Sequence, residues 1–539
     1  MKTKFSVSAG IIALAIFSSC SNSDEVNPNS SLTDEMVSVV GNIEEKKPEV
    51  AAVKSIDGEV IDGITRTSFS GDFTQTKESR STVKFSWTAG DKVYLENGES
   101  SEANLTESDT QKSYATFKFK KASLAQTSTP VQYVGTKSTK YGEAVIQSEQ
   151  IQAQPNNAEH IAQSGDCATA EITKNTKNNY TFTLKHKASY LCFMPKSTKY
   201  TKLYSITISA QKPISGSYKL ESSKLEDATE LTDTHKGYVY LKTGTEGVGF
   251  DITKDLKQTQ NASYAVIHPQ TTALVCVFTV LDGSTNKVMN VVKYIKSQPF
   301  EANKVHSFSV NLDNDYGRWY DHLYYMWDAQ VGKDYWYGHE SEQSVNLGQT
   351  GTNYPTVNTD PRWCSTGNAD GTRSAKTCMG KSGLNNNALY YVYNDFSFDT
   401  KIYWPMKGVL QHGGAWITRY SKCKWEKYPA IKTKTNTNTA WYTLQRYDAK
   451  TGTPTENIEN YFFLPASGNY RDGQLQNIGT SGNFWMQNRN DNSNIDGYKE
   501  RAYFLSFRLD DDKRSYMIVG QNERRTTGLM LLHNDYGKY

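Results

Sequence analysis

The chain has 539 residues, with 60 Lys and Arg against 57 Asp and Glu, for a formal net charge of +3. That length exceeds one ordinary hydrophobic core, so two or three domains are expected. The near-balanced charge argues against a nucleic-acid partner, which needs a basic face. Aromatic residues make up 12%, including 35 Tyr and 10 Trp, a composition suited to β-sheet surfaces and to sugar or protein contacts.

Lys2 and Lys4 precede an apolar run at 7–17 (VSAGIIALAIF), followed by Ser18, Ser19 and Cys20. The run falls short of the about 20 residues that a spanning helix needs. This is the layout of a secretory signal peptide over 1–20. Phe17-Ser18-Ser19-Cys20 resembles the lipobox of bacterial lipoproteins, which implies that the Cys20 thiol is acylated with palmitate-type chains and becomes the new N-terminus. Each buried methylene of such a chain supplies roughly 0.8 kcal/mol of membrane affinity. The alternative is cleavage elsewhere, with Cys20 incidental. Ser21 to Glu25 (SNSDE) resembles the export signal of surface-exposed Bacteroidetes lipoproteins, which places the chain on the outer membrane, lipid-anchored and facing outwards.

Residues 21–60 are polar and acidic without a sustained period and are expected to form a flexible tether. From about residue 61 the pattern turns to short strands. Val83, Phe85 and Trp87 alternate with polar residues, Thr88-Ala89-Gly90-Asp91 marks a turn, and Val93 and Leu95 alternate again. Tyr180, Phe182 and Leu184 repeat that period, as do Ile206 and Ile208. Leu274 to Ile295 is the clearest hairpin, with Asp282 to Asn286 at its turn. A second hairpin is expected from AYFLSFRL at 502–509 to RSYMIVG at 514–520. Trp319, Leu323 and Trp327 have the spacing of one helix face, although core packing in any conformation explains the same triplet. A boundary is expected at 311–318, dividing a β-sandwich region at 61–312, in two domains, from a C-terminal domain at 313–539.

Seven cysteines leave an odd thiol. Cys192 and Cys276 sit in apolar runs and are expected to be buried. Cys167 lies in a polar stretch. Among Cys364, Cys378 and Cys423, the preferred disulfide is Cys364 with Cys378, closing a short polar loop in a compartment where disulfides form.

Thr65-Arg66-Thr67, Phe85 to Val93 (FSWTAGDKV), Leu184 to Ala188 (LKHKA) and Phe300 to Val310 (FEANKVHSFSV) occur in the order found in the fimbrillin-like proteins of Bacteroidetes, the subunits of type V pili. The resemblance spans about 250 residues and implies tandem β-sandwiches. It also implies proteolysis after an N-terminal Arg, here Arg66 with Arg80 as a substitute, followed by entry of another subunit's strand into the vacated sheet. An incoming strand satisfies the exposed backbone donors and acceptors. Arg66 is otherwise an ordinary exposed side chain.

Tyr461 to Gly468 (YFFLPASG), Tyr470 to Gly473 (YRDG), Asn477 to Gly482 (NIGTSG), Phe484-Trp485, Leu323 to Ala329 (LYYMWDA) and Ala502 to Phe507 (AYFLSF) resemble the C-type-lectin-like domains of Bacteroidetes and Fibrobacter surface proteins. The implied C-terminal fold is α+β, within a chain that is mainly β. Met486-Gln487 replaces the family's usual Ser-Ser. No Glu-Pro-Asn, Gln-Pro-Asp or Trp-Asn-Asp ligand triplet is present, which removes the usual basis for calcium-dependent sugar binding. Trp485, Asn488 and Asp491 are the candidate ligand residues, from the polar loop that follows the Trp; such Asn/Asp clusters ordinarily mark turns.

No enzyme, cofactor or metal is expected. Met379-Gly380-Lys381-Ser382 lacks the first glycine of a phosphate loop, since Ala375 occupies that place. The nine His include no His-Glu-x-x-His, and His412-Gly413-Gly414 has no Gly-x-Ser-x-Gly companion. Asp510 to Asp512 fit a solvated hairpin tip. The expected function is therefore that of a minor or tip fimbrial subunit in adhesion, assembled by strand exchange with other pilus subunits and contacting a host or bacterial protein or glycan. The alternative is a stand-alone outer-membrane binder of glycan or protein.

Overall fold

A computed structural model of the chain describes residues 35–43, 54–55, 85–106, 108–109, 112–124, 127–357, 359–363, 388–424, 444–446, 450–489, 501–509, 516–523 and 527–531. Over these residues the fold is mainly β, arranged in six sheets.

The expected tether at 21–60 is corrected at two places. Met36–Ile43 is a strand, and Lys54–Ser55 is a short one. Met36–Ile43 lies within a seven-stranded sheet whose order is Ser100–Glu102, Lys92–Leu95, Ser128–Tyr133, Ala168–Lys174, Tyr180–His186, Met36–Ile43, Tyr114–Lys120. This sheet curls until its two edges approach: the Lys118 amide donates to Ser101 Oγ at 2.8 Å, and the Asn104 amide to the Thr116 carbonyl at 2.9 Å. Val39, Trp87, Val93, Phe117, Phe119, Val131, Phe182 and Leu184 fill its interior.

The second unit stacks three layers, one of them the small sheet His235–Lys236, Ser215–Lys219, Glu143–Ile146. Its middle sheet runs Ser263–Ile267, Ser189–Lys196, Val305–Asn311, Lys54–Ser55. Leu191 and Phe193 point into a core with Ile206, Leu241, Phe278 and Phe308. The alternate residues Tyr190, Cys192 and Met194 point into another, with Ile146, Ile161 and Tyr218. Burial on both faces explains why YLCFMP is a continuous apolar run rather than an alternating one. The larger sheet of this unit runs Arg318–Tyr320, Val288–Phe300, Gln270–Asp282, Tyr200–Ser209, Tyr238–Thr243, Glu149–Gln152, with Phe250–Asp251 beside Tyr200–Ser209. Its long hairpin turns at Asp282, whose Oδ1 accepts from the Ser284 amide at 2.8 Å and the Thr285 amide at 3.0 Å, and Asn286 takes φ +54°.

Two further sheets build the C-terminal part. One runs Lys450–Thr451, Phe396–Met406, Val409–Thr418, Tyr461–Pro465; the other runs Leu444–Arg446, Tyr516–Glu523, Arg501–Arg508, Ser481–Arg489, Ser467–Arg471, Gln474–Ile478. Ala388–Tyr393 is a short helix. The helical option for Trp319, Leu323 and Trp327 is not taken. Arg318–Tyr320 is a strand, Asp328 (φ +62°) and Gly332 (φ +74°) interrupt any helical path, and all three apolar side chains are buried. The core is continuous across 311–318, and Arg318–Tyr320 still pairs with Val288–Phe300. Val275, Val277, Val292 and Tyr294 of the second unit share one cluster with Trp319, Trp404, Trp416 and Phe463.

Candidate functional site: the groove held by the leading strand

Met36–Ile43 sits between two strands of opposite sense. It pairs in parallel with Tyr180–His186, Val39 opposite Tyr180 and Ile43 opposite Leu184. On its other side it pairs antiparallel with Tyr114–Lys120, Met36 opposite Lys120 and Asn42 opposite Tyr114. Val39, Gly41 and Ile43 face inwards, the period of a half-buried strand. Trp87 Nε1 donates to the Gly41 carbonyl at 3.1 Å, and the Trp87 ring meets Phe117 edge-on with centroids 5.0 Å apart. The Lys121 amide donates to the Glu35 carbonyl at 2.7 Å. Without the strand, two rows of backbone groups and the faces of Phe117, Phe119, Phe182 and Leu184 would lose their cover.

The sequence landmarks around this groove are structural. Asp91 closes the Thr88 turn, its Oδ2 accepting from the Thr88 amide at 2.8 Å and hydroxyl at 3.1 Å. Burial raises the Asp91 carboxyl even against those bonds and one from Tyr133. His186 is buried and pairs through Nδ1 with Asp166 Oδ1 at 2.8 Å, while the Tyr190 hydroxyl donates to the same oxygen at 2.5 Å. Phe85 stacks on the His186 ring, with centroids 3.6 Å apart. Burial pushes the Tyr133 and Tyr190 hydroxyls well up, so both remain neutral donors.

Lys54–Ser55 pairs in parallel with Phe308 and Ser309 at the edge of the second unit's middle sheet. Both leading segments thus precede Arg66 in the chain, and each completes a different sheet.

A separate cleft of about 730 Å³ opens between the Asp282 turn and Arg318–Tyr320, lined by Thr198, Lys199, Thr201, Ser284, Thr285 and Arg318, with Tyr200 and Tyr320. Arg318 Nε lies 4.0 Å from Asp315 Oδ2. Burial raises the Tyr200 hydroxyl to about 12. For Asp282, partial burial works upwards, but hydrogen bonds from Ser284 and Thr285 outweigh it and hold the carboxyl below its ordinary value. Hydroxyls, ring faces and two cations in one opening suit a saccharide or a carboxylate.

No protein-family model matches the sequence, and no curated protein does. Solved structures give weak likenesses. A proposed cell adhesion protein from Bacteroides ovatus is 11% identical, with 51% of this chain and 92% of that chain covered and a TM-score of 0.29. Another, from Bacteroides uniformis, is 14% identical, with 42% and 88% covered and a TM-score of 0.27. A fimbrial protein from Bacteroides ovatus is 10% identical, with 91% and 96% covered and a TM-score of 0.20. At such scores the overlaps carry no argument about shared architecture or role.

Of the residues singled out from sequence, Cys20, Arg66, Arg80, Cys364, Cys378 and Asp491 lie outside the described residues. Asn488 falls in the strand Ser481–Arg489. Trp485 is corrected from a ligand contact to a core residue. It is fully buried, its Nε1 donates to the Tyr325 carbonyl at 2.8 Å, and Leu323, Trp327 and Leu529 surround it. Cys192 and Cys276 are buried as expected, and so are Cys167 and Cys423, all four as free thiols. Among the described residues, no group of three or more His, Cys, Asp or Glu side chains is placed to hold a metal ion. Sequence reading missed the leading strand. Its signal is Val37, Val39 and Ile43 at period two, with Gly41 interrupting the apolar face.

Proposed function

We propose that the chain is an adhesive fimbrial subunit of the cell surface, secreted and first anchored through Cys20, that accepts a strand from another subunit once a cut after Arg66 removes its leading segment together with that anchor. The observation carrying this reading is the position of Met36–Ile43: an N-terminal strand inserted between two strands contributed from later in the chain. One cut after Arg66 separates it, together with Lys54–Ser55, from the rest of the polypeptide. Strand insertion then restores the lost backbone pairing and covers the aromatic groove. A tip position is supported by Thr527–Leu531, which is spent within its own C-terminal part. Thr527 and Gly528 pair with Ser467–Arg471, Met530 pairs with Phe484, and Leu529 is fully buried. The C-terminal part, with its lectin-like landmarks, is the portion turned towards a target. The roles named for the neighbouring structures agree but add no weight at their scores.

Arg66→Ala tests this reading directly. It is expected to abolish incorporation into sheared high-molecular-mass surface assemblies while the uncut chain accumulates on the membrane through its Cys20 anchor. Unaltered incorporation would refute processing at this position, provided Arg80 is also replaced.

The open cleft beside Arg318 favours a second reading, an anchored glycan-binding lipoprotein that keeps its leading strand. In that case glycan capture by whole cells survives Arg66→Ala and is lost with Lys199→Ala.

A further inference from the structure

We infer that the groove selects its incoming strand by a glycine: the occupant must read aliphatic-x-Gly-x-aliphatic at the register now held by Val39, Gly41 and Ile43. This rests on the strand-accepting reading above and goes beyond it by naming what the groove accepts. A Cβ built on Gly41 would meet Phe182 Cζ at 2.4 Å, Phe117 Cε2 at 2.7 Å and Phe182 Cε2 at 2.9 Å. Real Cβ atoms do not approach so closely, and neither ring has an easy escape. Phe117 and Phe182 are buried, with centroids 5.6 Å apart, and both pack on Trp87 at 5.0 and 6.4 Å. Trp87 is itself tied by its Nε1 to the Gly41 carbonyl at 3.1 Å. Two Phe rings, backed by Trp87, thus close over the strand at one register position and leave room for hydrogen only.

The positions on either side demand the opposite. Val39 has no exposed surface and Ile43 very little, each filling the groove above or below the rings. Val40 and Asn42 point away and are half-buried, and Asn42 Nδ2 donates to the Phe182 carbonyl at 3.3 Å. Because side chains alternate, a slip of one residue would drive a side chain into the rings and turn the aliphatic pair outwards. The glycine therefore fixes register as well as identity. The resident strand runs parallel to Tyr180–His186 and antiparallel to Tyr114–Lys120.

Within this chain, Thr527–Leu531 also contains a glycine. Gly528 is already wedged against Tyr335, where a Cβ would meet Cδ2 at 2.6 Å, and Leu529 is buried beside it. On the strand-accepting reading, the occupant is a strand of another subunit carrying the stated pattern.

The test uses the full chain with Gly41→Val, which displaces its own strand, and a labelled synthetic peptide of residues 35–44. Capture of the native peptide is expected, with binding retained for a peptide bearing Val40→Ala. Binding should be weakened about ten- to hundredfold for one bearing Gly41→Val, the penalty of one over-packed side chain. Should the Gly41→Val chain fail to fold, the unmutated full chain with a specific protease sequence inserted after Arg66 is cut in vitro. Exchange of its leading segment against the same three peptides is then followed by mass spectrometry. Equal capture of the native and Gly41→Val peptides would overturn glycine selection, as would a Gly41→Val chain whose residues 36–43 keep their hydrogen-exchange protection. Neither preparation depends on processing in cells, so this test and the Arg66→Ala test fail independently.

Discussion

Asp321 is a carboxyl group almost wholly removed from water, accepting from the Lys407 amide at 2.7 Å and the Asn290 side chain at 3.2 Å. Burial lifts its pKa from 3.8 to about 6 despite those bonds. The folded state therefore holds this proton more tightly than the unfolded chain does. The associated stability is fully present below about pH 4 and is lost as pH rises through about 6, a swing of about 3 kcal/mol. Asp321→Asn removes the titration. Denaturant unfolding should show the variant gaining on the parent by about that amount between pH 4 and pH 8, and a pH-independent difference would contradict the assignment. Trp485 poses a different question. As a buried ring with its Nε1 bonded, Trp485→Ala should cost about 3–5 kcal/mol of unfolding free energy. A variant of unchanged stability with impaired binding would return Trp485 to the ligand surface. Its neighbour in sequence, Phe484, is buried as well, so the Phe-Trp pair marks a core strand rather than an opening.

Tyr180–His186 was legible from its alternating face, and the Asp282 hairpin from turn residues between two apolar runs. The Thr88 to Asp91 turn was legible because its chemistry is local. The leading strand was not, for two physical reasons. Glycine is depleted in strands, so Gly41 breaks the apolar face at the register where the groove requires it. The neighbouring stretches are also polar, so eight residues carry the whole signal. Trp319, Leu323 and Trp327 show the opposite failure, since helix-like spacing arose in a strand and irregular chain whose apolar side chains are gathered by tertiary packing. Trp485 was recognisable as a landmark, but burial depends on residues 323–329 and 529, which sequence does not place beside it.

Across the whole molecule, the sheets buried on both faces join units that sequence reading divides. Val275, Val277, Val292 and Tyr294 complete the C-terminal core rather than facing water, and Arg318–Tyr320 extends the second unit's larger sheet. A chain ending after Leu312 should therefore expose a contiguous apolar sheet face and aggregate or associate, as exposed patches of that kind do. Recovery of a soluble, cooperatively unfolding monomer from that truncation would contradict the shared core. The N-terminal end has the reverse property, since its two leading strands each complete a sheet formed otherwise by later residues. On the proposed function, this leading segment is removed to open a strand-accepting groove. That removal is tested most directly by the N-terminal residue of the mature protein recovered from cell-surface assemblies, read by mass spectrometry. A start at Thr67 is the predicted result; an acylated Cys20 as the sole start would contradict it.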